Sequence, residues 1–282
     1  MIRRDMECPT AFAKRIKDEC HIYDLQGLCK GKSENYTIAV EAIDMENDPV
    51  DAYIEIFSEN ELYARARFAE RVNAVFVLML HKRLKDKDEI ILKSFKTDSD
   101  NTKVVCSESK CLTSDYFINW WKARQFKTQK KQYREEMQRK INSSYFDQLL
   151  EKNGSSWSGN IDGFMMSEEA SGCNDISALI EFRFSSNEDI EVYDPNKYFN
   201  SGGGDYVTWS GLIELSKRLE VPLYLFTFSR KMGNRDKLGV ACVEGITERG
   251  LVYRAGIPPY RNISKSSKEV LNIMDSYKRP TI

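Results

Sequence analysis

Asp162, Glu181 and Arg183 are the residues whose types and spacing suit them for chemistry. Asp162 falls in Gly159-Asn160-Ile161-Asp162-Gly163-Phe164-Met165-Met166, which reads as a strand. Glu181 and Arg183 fall in Ile176-Ser177-Ala178-Leu179-Ile180-Glu181-Phe182-Arg183-Phe184, which reads as the next strand. Side chains alternate along a strand, so Ile180, Phe182 and Phe184 share one face and Glu181 and Arg183 the other. If the two strands form a hairpin, Asp162 and Glu181 sit with Cβ atoms roughly 4.5–5.5 Å apart. Two carboxylates so placed bracket a hard cation such as Mg²⁺, which keeps positions open for water and phosphate oxygens. A structural account fits the same residues. Asp162-Gly163 is also a turn dipeptide, and Glu181 with Arg183 also reads as an ion pair on an exposed sheet surface, typically worth under about 1 kcal/mol.

The elements that must hold these residues are regular. Tyr145 to Glu151 closes a helix, and Lys152-Asn153-Gly154 is its stop signal. Beyond the two strands, Tyr193 to Phe199 is rich in turn residues, and Thr208 to Leu219 reads as a helix with Thr208 or Ser210 near its cap. Val221 to Phe228 is a buried strand by its β-branched and aromatic content. This order, with Asp on the first strand and Glu-x-Arg on the second, resembles the PD-(D/E)XK nuclease superfamily over residues 143–260. The resemblance implies an α/β (α+β) fold, a restriction-endonuclease-like mixed sheet flanked by helices. It implies Mg²⁺-dependent hydrolysis of a DNA phosphodiester, with Mn²⁺ as a substitute, in restriction or phage defence.

Under that resemblance Asp162 matches the first acid and Glu181 the second, both metal ligands. Glu151 matches an accessory carboxylate that the family sometimes places on the preceding helix. Arg183 stands where the family has a lysine that orients or activates the attacking water. An arginine supplies charge but stays protonated and cannot act as a base. Three alternatives follow. The cation alone lowers the pKa of its water; Lys197 reaches the site from the next segment; or the chain is an inactive nuclease fold that binds nucleic acid or a protein partner. A different Mg²⁺ phosphohydrolase acting on a nucleotide is a third function.

The 282 residues carry 42 Lys and Arg against 43 Asp and Glu, a formal charge of -1, which excludes a purely electrostatic nucleic-acid binder. Locally the balance breaks. Residues 122–140 carry +6, with Lys127, Lys130, Lys131 and Arg134 at one-face helical spacing and Lys122 and Arg124 just before them. These six are the expected DNA-binding residues, although a solvated connecting helix has the same pattern. Residues 168–205 carry -7.

Residues 1–113 read as an N-terminal α+β module for recognition or homodimerisation, 114–142 as the connecting helix, 143–260 as the core, and 261–282 as a helical tail. In the first module Thr37–Ile43, Ala52–Phe57 and Glu89–Phe95 read as strands, and residues 62–80 as a strand followed by a helix or by two further strands. Two histidines, His21 and His81, are too few for a three-His zinc site, and His81 reads as an element-end residue. Ser201-Gly202-Gly203-Gly204-Asp205 lacks a following Gly-Lys-Ser/Thr, so no nucleotide-binding loop is expected. Trp120-Trp121 reads as core before base-stacking platform. Seven cysteines without a CxxC, no apolar segment after Met1 and no apolar run beyond seven residues point to a reducing cytoplasm and no membrane.

Overall fold

The computed structural model describes residues 2–3, 10–31, 35–46, 48–83, 88–125, 144–155, 157, 159–168, 174–185, 188–199, 204–231, 233, 235–254 and 263–278. In chain order the elements are β1 (Ile2–Arg3), α1 (Ala11–Glu19), β2 (Ile22–Lys30), β3 (Tyr36–Glu46), α2 (Glu59–Arg71), β4 (Val75–Arg83), β5 (Asp88–Thr97) and β6 (Val104–Leu112). Then come α3 (Ser114–Arg124), α4 (Tyr145–Lys152), β7 (Gly159–Glu168), β8 (Asn174–Ser185), α5 (Gly204–Leu219), β9 (Leu223–Ser229), β10 (Leu238–Thr247), β11 (Gly250–Tyr253), β12 (Ile263–Ser264) and α6 (Ser267–Lys278). The architecture is mixed α/β, with open mixed sheet flanked by helices. Two compact units divide it. Unit 1 holds Met1–Met6, Leu25–Ile161 and Ala170–Asn174, and unit 2 holds Glu7–Asp24, Asp162–Glu169 and Asp175–Ile282. The cuts expected at 113 and 142 differ from these boundaries, because α3 and α4 pack into unit 1 while residues 7–24 pack into unit 2. No helix among the described residues is long and apolar enough to cross a membrane.

In unit 1, β3 pairs antiparallel with β2 and parallel with β4, and β4, β5 and β6 form an antiparallel meander. The parallel pair needs a crossover, which α2 supplies. Ser58 caps α2 in a reciprocal box: its hydroxyl accepts from the Glu61 N–H, and its own N–H donates to the Glu61 carboxylate at 2.9 Å. Val77 and Met79 face a core with Phe117 and Trp121 of α3 and Phe146 of α4. The alternate residues Phe76, Leu78 and Leu80 are buried on the opposite face, and α2 packs against β4 and β5.

The strand expected at Ala52–Phe57 is instead a 3-10 helix, Val50–Glu55, with no buried residue of its own. Both edges of β3 are already occupied, so the alternating segment that follows cannot pair with β3. Residues 62–80 run from α2 into β4, a helix before a strand, which differs from the strand-first order expected. His81 lies near the end of β4, with Nδ1 3.1 Å from Asp44, Nε2 3.2 Å from Asp88, and its ring stacked on Tyr145 at 3.4 Å.

In unit 2 the strand order is β11-β10-β9-β8-β7. β8 and β9 are parallel, Leu179 facing Leu223 and Phe184 facing Phe228, and α5 makes the crossover between them. One face carries Ala178, Ile180, Phe182, Tyr224, Phe226 and Phe228 against Phe12, Ala13 and Ile16 of α1 and Val270, Met274 and Tyr277 of α6. Fully burying each such side chain contributes roughly 1.5–3 kcal/mol, so α6 is part of this core rather than a tail. α5 packs against β9 and β10. It begins at Gly204, so Thr208 and Ser210 lie inside it rather than at its cap.

The polar centre of unit 1 is Glu41, 0% exposed, whose Oε1 accepts from Arg65 Nε and from the Gln26 N–H, each at 3.1 Å. Arg65 also donates to the Glu61 carbonyl at 3.0 Å and lies over the Phe57 ring. Removing one partner leaves a buried charge unanswered. Arg65→Met is expected to lower stability by roughly 3–5 kcal/mol in chemical denaturation. Pairing it with Glu41→Leu should recover part of that loss; additive losses would contradict this account.

Candidate active site

Asp162 lies inside β7 and Glu181 and Arg183 inside the neighbouring β8, so Asp162-Gly163 is not a turn. Five residues join the strands, too few for a parallel crossover. Gly163 permits their close approach: a Cβ there would stand 2.6 Å from Ile22 Cγ2 and 3.2 Å from Ile180 Cβ. Asp162 is half-buried, and its Oδ2 accepts the Phe182 N–H at 3.1 Å. Glu181 is 7% exposed, so it is not part of a surface ion pair.

Burial pushes the Asp162 carboxyl above the ordinary range, opposed by the Phe182 N–H, Arg183, a hydrogen bond from Glu181, and Lys17. Glu181 is pushed well above, first by burial, then by the Asp162 charge, with Arg183 opposing. A carboxyl held above its ordinary range gives up its proton less readily, and both members of the pair are shifted that way, Glu181 the further. The size of the repulsion between two such charges fits that direction. Two like unit charges about 4 Å apart repel by about 4 kcal/mol at an effective dielectric near 20.

Arg183 Nη2 lies 3.3 Å from Glu181 Oε1 and 3.7 Å from Asp205 Oδ1 in the first turn of α5, and the guanidinium sits over Trp209 at 5.5 Å. Five N–H donors exceed what these two contacts use, so Arg183 keeps donors for an incoming anion.

Lys17, on α1, is the residue that sequence reasoning missed. Its Nζ pairs with Asp24 Oδ2 at 2.5 Å, both ends mostly buried, and its charge acts on Asp162. The signals were a lysine beside the apolar positions Phe12, Ala13 and Ile16, and a lone carboxylate in a strand that is otherwise buried. Lys197, the alternative lysine, instead pairs with Glu188 at 2.9 Å and is exposed. Glu151 is exposed on α4, in unit 1.

Of the expected DNA-binding residues, Lys122 is exposed in the last turn of α3. Arg124 is partly committed: its guanidinium lies over Trp120 at 4.5 Å and donates to the Trp120 carbonyl at 3.1 Å. Lys127, Lys130, Lys131 and Arg134 lie outside the described residues. Trp121 is 1% exposed and stacks with Trp157, and Trp120 packs on the same cluster, so this pair belongs to the core of unit 1.

No group of three or more His, Cys, Asp or Glu among the described residues is arranged to hold a metal. The smaller set of Asp162 and Glu181 still fits Mg²⁺, which is ordinarily bound through one or two carboxylates with water and substrate phosphates completing its shell. The chain matches no protein-family model, no curated protein and no solved structure.

A carboxyl with a raised folded pKa binds its proton more tightly folded than unfolded. Its stabilising effect is complete below the unfolded pKa and is lost as pH rises through the folded one. Stability of unit 2 is therefore expected to fall as pH rises above the ordinary carboxylate range. Glu181→Gln keeps the shape, removes the titration, and should flatten this slope and raise the melting temperature at alkaline pH. An unchanged slope would contradict the upward shift of this pair.

Proposed function

We propose that this protein is a metal-dependent nuclease hydrolysing DNA phosphodiester bonds, with a restriction-endonuclease-like core in unit 2. The observation that carries the reading is the pair Asp162 and Glu181 on adjacent strands, with Asp162 Oδ2 accepting the Phe182 N–H at 3.1 Å and Arg183 Nη2 3.3 Å from Glu181. The order of β7, β8, the α5 crossover and parallel β9 supports it, since it agrees with the arrangement the family resemblance implies. Asp162 and Glu181 would hold Mg²⁺ or Mn²⁺, which when bound supplies Lewis-acid polarisation of a phosphoryl oxygen.

The chain's own groups account for the rest. Both carboxyls must be ionised for the pair to act as two ligands. Arg183 turns its spare donors to the phosphate and stabilises the negative charge that grows in the transition state. Lys17, held by Asp24, adds a second fixed positive charge and takes the part of the family's lysine. Restriction or phage defence is the setting that fits such cleavage.

A second reading rests on the Arg183 contacts at 3.3 and 3.7 Å: the arginine neutralises the acids permanently, and the fold binds nucleic acid or a protein partner without cleaving.

Plasmid cleavage separates the two. The nuclease reading expects cleavage with Mg²⁺ or Mn²⁺, none with EDTA, and losses of at least roughly 10²–10³-fold for Asp162→Asn, Glu181→Gln and Lys17→Ala. Lys197→Ala should cleave normally and Arg183→Lys should retain activity. Intact DNA under every metal would overturn the nuclease reading and leave the binding one.

A further inference from the structure

We propose that the outer edge of β6 is a self-association surface on which a second copy of this chain lays its own β6 antiparallel. β6 closes the strand order of unit 1: β5 pairs along one edge, and among the described residues no strand pairs along the other. Residues 105–111 are all exposed, on both faces of the strand. A nine-residue edge of this kind presents a row of N–H and C=O groups that templates pairing with another strand. It has no proline, and Glu108 and Lys110 are its only charges.

Those two charges select both the partner and the register. Backbone groups along a strand point alternately to its two sides, so residues facing each other across a symmetric antiparallel pair must point the same way. The two-fold axis of a strand with its own copy therefore passes through a residue position. An axis at Glu108 sets Glu108 against itself, and an axis at Lys110 sets Lys110 against itself; like charges directly opposite are destabilising. An axis at Ser109 sets each Glu108 against the partner subunit's Lys110. Glu108 and Lys110 already pair within one strand at 2.7 Å, so both lie on one face, and the dimer joins four charges of alternating sign. Axes at Ser107 or Cys111 give neither charge an opposite-sign partner and fall near the end of the strand or beside the irregularity opposite Ser94 and Phe95.

The test is sedimentation or light scattering of the full chain over a concentration series. Wild type is expected to dimerise reversibly. Glu108→Lys and Lys110→Glu should each raise the dimer dissociation constant roughly tenfold or more, since each turns two attractive pairs repulsive. An equimolar mixture of these two variants should regain dimer. In the mixed pair one chain carries lysine at both positions and the other carries glutamate at both, so every facing pair is again of opposite sign. The double exchange Glu108→Lys with Lys110→Glu should likewise restore self-association. A wild type that stays monomeric at every concentration, or a dimer indifferent to all three exchanges, would overturn the proposal.

Discussion

A carboxylate withdrawn from water must be given a cation, a set of hydrogen-bond donors, or a proton, and this protein meets that constraint in different ways in its two units. In unit 1, Glu41 Oε1 accepts from Arg65 Nε and from the Gln26 N–H at 3.1 Å each. In unit 2, Glu181 is nearly as buried, yet Arg183 reaches it only at 3.3 Å while also facing Asp205, and the neighbouring Asp162 adds a like charge. Both carboxyls of the unit 2 pair are pushed upward as a result, Glu181 the further.

The architecture of unit 2 places that conflict. The core of α1, α6 and the strand face bearing Ile180, Phe182, Phe226 and Phe228 is apolar throughout, which fixes the pleat and turns Glu181 and Arg183 to the opposite side. The parallel pairing of β8 with β9 obliges a crossover, and α5 brings Asp205 and Trp209 to Arg183. Gly163 lets β7 approach closely enough for Asp162 to accept the Phe182 N–H. Asp162 is thus held by the backbone of β8, while Glu181 and Arg183 are held by the packing of their own strand.

Much of this was legible in the order of residues. The period-two alternation around Glu181, the strand around Asp162 and the apolar run before Phe228 all correspond to strands, because each segment is buried in a sheet and its pattern is set by that burial. Ala52–Phe57 has the same alternation and forms a 3-10 helix, since alternation says nothing of whether a sheet edge is vacant. Lys17 was overlooked for a different reason. Its apolar neighbours Phe12 and Ile16 mark an amphipathic helix, but the effect of a charge at 17 on a carboxyl at 162 arises only in the tertiary fold, and nearness in sequence pointed to Lys197 instead. The near-neutral total charge likewise hid a segment of +6 and one of -7, and much of the basic segment lies outside the described residues.

The proposed nuclease reading requires that Asp162 and Glu181 bind a divalent cation and that any proton held by the pair leaves as the cation binds. Titration calorimetry with Mn²⁺, repeated in buffers of different ionisation enthalpy, measures both binding and proton release. The account predicts that wild type binds Mn²⁺ and releases a proton, that Glu181→Gln releases none, and that Asp162→Asn loses most of its affinity. Failure of wild type to bind, or equal binding by all three proteins, would contradict it.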